Sequence, residues 1–173
     1  DHQVHVHNVL CAANQQARIA LFRWPAMREL LQLPVNSAPA GSCLVVLNSQ
    51  AEKVIEALLC KGEAAFPAGG VQGDGAFEKA YGASRRADDR DRSLRDLDLR
   101  TRLFRYRCSP LIYARTFEAM PKELRTVVLR RLSVGLRATT PTPEFAHLRA
   151  DERQVIHEIL TATLPDLPAD WGK

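Results

Sequence analysis

The sequence lacks the patterns that define several classes of protein. Its four cysteines form neither a CxxC nor a CxxCH motif, which excludes a zinc ribbon and covalent haem attachment. No apolar run approaches the ~20 residues that a membrane-spanning helix needs, so the chain has no transmembrane segment of its own. It also has no internal repeat and no low-complexity tract, which excludes a collagen and a coiled coil.

Aromatic residues and lysines are scarce, and this bears on the choice of partner. Aromatics make up 6% of the chain, and 19 of its 24 basic residues are arginines. Nine of these arginines lie between Arg85 and Arg107, together with five aspartates. Because arginine forms bidentate pairs with carboxylates, this stretch can neutralise itself. A nucleic-acid groove needs uncompensated charge and stacking aromatics, so we predict an ion-pair network or a protein contact here, and no nucleic-acid partner.

The remaining composition is that of a folded domain. The 173 residues are 46% hydrophobic and 25% charged, enough to bury a core without a cofactor or metal. The net charge of +4 is too small to dictate a polyanionic partner. We predict one helical domain over residues 1–173. Because the chain opens at Asp1 without a methionine, we expect a processed form or the C-terminal part of a longer precursor.

Hydrophobic periodicity predicts a mostly α-helical fold, with about six helices around one core and long irregular loops at residues 34–42 and 62–92. Pro25 is expected to end the first helix, and Ser49 and Gly62 to cap and end a later one. Residues 44–47 and 111–113 are the short segments that are most β-like or most deeply buried. The predicted helices, of which the second and fourth are short, cover residues 6–24, 26–33, 50–61, 76–81, 93–104, 121–136 and 151–163. The predicted core comprises Leu94, Leu97, Phe104, Leu111, Ile112, Leu124, Val128, Ile156 and Leu160.

Histidines near the start of the chain form the best candidate metal site. His7 and Cys11 are four residues apart, which places them on one face of a helix, and His5 could join them from a frayed first turn. A free amino terminus followed by His2 could also chelate copper. The alternative is a polar lead-in whose Cys11 is packed. We predict that the protein needs no cofactor. The candidate for a bound cofactor is a transition metal.

Two other patterns suggest chemistry less directly. Cys108 could be a nucleophile if His147 or His157 approached it, and a structural buried thiol is the alternative. The glycine-rich residues 69–75 could donate amides to a phosphate. They lack the Lys-Ser/Thr ending of a P-loop and a preceding strand, so we predict a flexible turn.

The long segment of residues 62–92 is the predicted docking element. It has too few large apolar residues for a core of its own, but aromatic residues and arginines often dominate interface energies. The alternative is a mobile loop without a partner. The predicted contact residues are Phe66, Phe77, Tyr81, Arg85 and Arg86.

A run in the second half of the chain resembles a known group of sequences. It comprises residues 91–99 (DRSLRDLDL), 102–106 (RLFRY), 108–113 (CSPLIY) and 117–121 (FEAMP). This run is similar to the C-terminal region of exported, functionally unassigned bacterial proteins with the pattern GRSLRDFDL…RLFRYPCSYLIYS…FDALP. It departs at Arg107, where a proline is common, and at Pro110, where an aromatic is usual. The resemblance implies a periplasmic or otherwise exported location and supplies no reaction.

These observations favour a non-catalytic exported domain that acts as an accessory or interaction subunit of a larger assembly, which could be membrane-bound. The alternative is a metal-binding or redox-associated domain built on the N-terminal histidines or the cysteines. A third hypothesis is a hydrolase that uses Cys108. Metal content and sensitivity to thiol alkylation distinguish these three functions.

Overall fold

A computed structural model describes residues 2–172 of the chain and confirms a mostly helical fold. Within that range there are six α-helices, one 3₁₀ helix and no strand beyond an isolated bridge between Leu97 and Phe104. The α-helices are α1 (His2–Leu30), α2 (Gly41–Leu58), α3 (Gly75–Gly82), α4 (Arg115–Glu118), α5 (Lys122–Arg137) and α6 (Ala150–Thr163), and the 3₁₀ helix is Pro110–Tyr113.

The longest helices pack in chain order. The first two form a hairpin, α2 also packs on α5, and α5 packs on α6. One hydrophobic cluster joins these helices, and its fully buried side chains include Leu10, Ile55, Leu124 and Ile156. In α5, Gly135 lies against the ring of Phe145, where any Cβ would collide with that ring. The absence of a side chain there lets the loop before α6 close over the core.

Helix α1 continues through Pro25, so the prediction that this proline ends the helix is wrong. Proline removes one helical hydrogen bond, a cost that packing can offset. Trp24 is buried just before the proline, and Met27 packs against the core just after it. The helix predicted at residues 26–33 is therefore largely the last part of α1.

Helix α2 begins at Gly41, well before the predicted start at residue 50. Residues 44–47 are helical rather than β-like, because Cys43, Leu47 and Ala51 continue the buried stripe of this helix. Ser49 lies inside the helix and caps nothing. The residue with left-handed backbone at the end of α2 is Cys60, with φ of 55°.

The helix predicted at residues 93–104 does not form. The carboxylate of Asp96 accepts a hydrogen bond from the backbone N–H of Ser93, and that of Asp98 accepts from Thr101. Such local bonds compete with helical ones. The backbone instead turns back on itself, with the Asp98 N–H donating to the Leu103 carbonyl at 3.0 Å.

Most of the predicted core is buried. Helices α5 and α6 lie close to their predicted bounds, and residues 111–113, predicted to be β-like, belong to the 3₁₀ helix. Leu97 and Leu111 are only half-buried, because neither lies on a regular helical stripe. The predicted core residues that are buried are Leu94, Phe104, Ile112, Leu124, Val128, Ile156 and Leu160.

Candidate functional site

The three predicted metal ligands do not come together. Cys11 Sγ lies 3.5 Å from His7 Nε2 on the exposed side of α1. His5 points elsewhere, because residues two apart on a helix are separated by about 200°. Among residues 2–172, no group of three or more histidine, cysteine, aspartate or glutamate side chains is arranged to hold a metal ion. Metal binding by this cluster stays a prediction.

His5 instead lines an open cavity of about 670 Å³, together with His2, Cys60 and Glu63. His2 Nε2 lies 3.5 Å from Cys60 Sγ, and the His2 ring stands edge-on to Phe104 at 5.9 Å between centroids. Burial lowers the pKa of His2 and raises the pKa of Cys60, so both groups are neutral near pH 7. No local pattern indicates that Cys60 meets a histidine, because 58 positions separate the two residues.

The four cysteines are free thiols, and only Cys11 is exposed. Cys108 is fully buried, which raises the pKa of its thiol to about 12. The two histidines considered as its base have other partners. His147 Nε2 lies 2.8 Å from the Leu59 carbonyl oxygen, and His157 stacks on Trp171 with centroids 5.1 Å apart. The geometry offers no activated nucleophile at Cys108.

Most of the predicted docking residues have partners within the chain. The hydroxyl of Tyr81 accepts a hydrogen bond from Gln3 at 2.9 Å. Arg85 pairs with two aspartates, and the guanidinium of Arg86 lies 4.8 Å from the ring centroid of Tyr113. Phe66 is half-buried and lines the histidine cavity. The side chain of Phe77 is exposed, at 60%.

The arginine-rich segment, residues 85–107, is held to α6 by ion pairs. Arg92 bridges two carboxylates, Asp88 at 2.6 Å and Glu158 at 2.7 Å. Arg107 donates to Glu152 from its backbone N–H and from its guanidinium, the shortest of these bonds being 2.5 Å. The predicted ion-pair network therefore exists, and it fastens an irregular segment to a helix.

Charge-assisted hydrogen bonds control the acidic groups of this network. Burial by itself raises the pKa of Asp88, but bonds from the Arg92 side chain and two backbone N–H groups outweigh it and hold the pKa below its usual range. At Glu152, burial is likewise outweighed by Arg107. Hydrogen bonding by Arg92 lowers the pKa of Glu158. These carboxylates are therefore charged and paired throughout the neutral range.

The end of the α1–α2 hairpin is the most apolar exposed part of the molecule. We define the hairpin tip as residues 19–47, which hold eight of the 12 large apolar side chains exposed among residues 2–172. The most exposed are Phe22 at 86%, Leu30 at 83%, Val35 at 75% and Val45 at 66%. The loop between α1 and α2 is held by a hydrogen bond, in which an Arg28 guanidinium N–H donates to the Val35 carbonyl at 2.5 Å.

Charge is distributed unevenly around the hairpin tip. Residues 30–51 contain no charged side chain. The part of α1 that precedes this stretch carries Arg18, Arg23 and Arg28 against the single acid Glu29, and all of these except Arg18 belong to the tip. Sequence reasoning missed this surface, and the long uncharged stretch was the signal that could have found it. A concentration of exposed apolar side chains in one part of the molecule is typical of an interaction site.

A second cavity offers no comparable chemistry. It has a volume of about 770 Å³ and lies between α5 and the segment that follows α6. Its basic residues Lys122, Arg125 and Arg130 are matched by acidic residues Glu118, Asp166 and Asp170. Such a groove selects no ligand of one charge.

Comparison with known proteins finds no relative. No family model, no curated protein and no solved structure matches the chain. Over residues 2–172, no helix is both long enough and apolar enough to cross a membrane.

Proposed function

We propose that this chain is a non-catalytic helical domain that acts as an accessory subunit of a larger protein assembly. The observation that carries the proposal is the hairpin tip, where Phe22, Leu30, Val35 and Val45 all face solvent. Exposed apolar area of this extent is costly in water, and burying it against a partner returns roughly 25 cal/mol for each Å².

The pattern of α1 supports an interaction role. Its inner face is buried through Leu10, Ala17 and Trp24, while Phe22 and Leu30 lie on the outer face and contact no other part of the core. Large apolar side chains exposed on the outer face of a packed helix are typical of a surface that binds a partner. The outer face of α1 is therefore the side on which a partner is expected.

The exported location is part of the same proposal. It is supported by the resemblance of residues 91–121 to exported bacterial proteins. In this view the arginine-rich segment has an internal role, and Phe77 is a secondary contact point, since it is exposed at 60% and stacks on Tyr81 with centroids 5.8 Å apart.

Size-exclusion chromatography of gently prepared extracts from the producing cells tests the proposal. The unaltered protein is expected to elute with a large assembly. The double variant Phe22→Ser with Val45→Ser is expected to elute as a free chain, because it removes two of the most exposed apolar side chains of the tip.

Phe77→Ser is the matched control, since it removes one exposed aromatic outside the tip. If the tip variant stays in the large assembly while Phe77→Ser leaves it, the docking surface lies in residues 62–92 instead. Elution of the unaltered protein as a free chain contradicts the accessory role itself.

A further inference from the structure

The start of α1 and the end of α2 place a nitrogen and a sulfur ligand side by side. His2 Nε2 and Cys60 Sγ are 3.5 Å apart at the wall of the cavity of about 670 Å³. Cys60 is 3% exposed, and its backbone follows the last turn of α2, so its position is fixed. We infer that His2 and Cys60 are two ligands of a binding site for a single divalent ion of the zinc type.

The separation of the two atoms suits tetrahedral coordination. Zinc lies about 2.3 Å from a cysteine sulfur and about 2.0–2.1 Å from a histidine nitrogen. An ion at those distances from two atoms 3.5 Å apart subtends an angle of about 105–109° between them, close to the tetrahedral value. The same separation accommodates an S–H···N hydrogen bond in the metal-free protein. On binding, the ion takes the place of the thiol proton, which leaves to water.

The cavity leaves room for further ligands. His5 lies one turn after His2 on α1, and both line the cavity together with Glu63. No three of these groups are in coordinating positions now. The protein therefore presents two adjacent ligands, and His5, Glu63 or water complete the coordination shell from the open side.

The backbone at Cys60 has a conformation in which glycine is the usual residue. Helix α2 ends in a Schellman arrangement, in which the Lys61 N–H donates to the Glu56 carbonyl at 3.0 Å and the Cys60 N–H to the Ala57 carbonyl at 3.2 Å. The residue with φ of 55° in this arrangement is usually glycine, because a Cβ is strained there. Here a cysteine occupies the position, and its thiol is the group that meets His2.

A second cysteine–histidine pair serves as an internal comparison. His7 and Cys11 are also 3.5 Å apart, but both are exposed and lie on one helix. Such a pair is free to move apart in solvent. The His2–Cys60 pair is preferred, because Cys60 is buried and the pair joins two different helices at a cavity that further ligands line.

Titration of the metal-free full chain with Co²⁺, followed by displacement with Zn²⁺, tests this inference. A thiolate ligand gives Co²⁺ an intense sulfur-to-metal charge-transfer band, which binding by an amino terminus or by histidines alone does not give. We expect that band to appear with one ion bound per chain, as measured by mass spectrometry under native conditions.

Variants assign the band to its ligands. Cys60→Gly removes the thiol and relieves the strained backbone, and His2→Ala removes the nitrogen, so both are expected to abolish the band while circular dichroism shows a folded chain. Cys11→Ser and Cys108→Ser are the matched controls and are expected to retain it. Absence of the band from the unaltered protein, or its loss in Cys11→Ser and not in Cys60→Gly, overturns the inference. The site is at the opposite end of α1 from the hairpin tip, so the titration tests it separately from the proposed docking surface, and a bound ion favours the alternative metal-binding function.

Discussion

The hairpin tip and the arginine-rich segment are opposites in composition and in what the fold does with them. The tip has no charged residue between positions 30 and 51, whereas residues 85–107 hold nine arginines and five aspartates. In the charged segment, Arg85, Arg92 and Arg107 are bound to carboxylates of the same chain. In the tip, side chains such as Phe22 and Val45 face solvent.

The difference shows that a group's availability for binding depends on its partners rather than on its type. Arginine is common at interfaces, but an arginine already held by a buried carboxylate must break that pair before it can bind anything else. An exposed apolar side chain has no ion pair to break before it binds a partner. We therefore propose the less conspicuous stretch of sequence, the hairpin tip, as the contact surface.

The largest expected contrast lies between the core and the tip. Leu124→Ala is expected to destabilise the protein by about 2–5 kcal/mol, because it removes a fully buried side chain and leaves a cavity. Phe22→Ala is expected to change stability by less than about 0.5 kcal/mol, as ordinary surface changes do. Urea unfolding measures both values. If Phe22→Ala costs as much as Leu124→Ala, the tip is part of the folded core and the comparison fails.

Replacing the buried aspartate of the arginine-rich segment, Asp88, is expected to lower the stability of the protein. Asp88 is 1% exposed at its side chain and accepts hydrogen bonds from the backbone N–H groups of Arg90 and Arg92. Asp88→Ala leaves these donors and the Arg92 guanidinium with fewer partners, at an expected cost of about 1–3 kcal/mol. Asp89→Ala is the control at an exposed neighbour. Equal denaturation midpoints for the two variants would show that the network contributes nothing to stability.

A smaller loss of stability is expected at low pH. The pKa values of Asp88, Glu152 and Glu158 are lowered in the folded protein, so the unfolded chain takes up protons first as the pH falls. Their contribution is complete above the ordinary carboxyl pKa of about 4 and is lost as the pH drops through the folded values. Glu152→Gln should give a flatter decline of the unfolding free energy below about pH 5, which thermal unfolding at a series of pH values can detect. An unchanged slope means that the Arg107 pair does not shift the acid transition.

Helices with one clear apolar stripe could be predicted from the sequence, and the contacts between distant segments could not. The stripe of Leu124, Val128 and Leu132 is sufficient to place α5. Pro25 and Ser49 were misread because buried neighbours on both sides carry the helix past them. Residues 93–104 have helical spacing, but Asp96 and Asp98 bond to their own backbone instead.

The candidate sites show the same division. His7 and Cys11 meet as predicted, because a four-residue spacing defines their geometry within one helix. The contact of His2 with Cys60 depends on how α1 packs along α2, which no local pattern encodes. The uncharged stretch of residues 30–51 is visible in the sequence, but the exposure of its apolar side chains is a property of the assembled fold.

Site-specific photo-crosslinking in the producing cells tests the central claim most directly. A benzophenone amino acid is placed at position 22 or 45 in the tip, and at position 100, an exposed arginine of the charged segment. We predict that positions 22 and 45 yield a crosslinked product of higher mass with a partner protein, and that position 100 yields none. Crosslinking at position 100 with none at positions 22 and 45 would contradict the assignment of the hairpin tip as the contact surface.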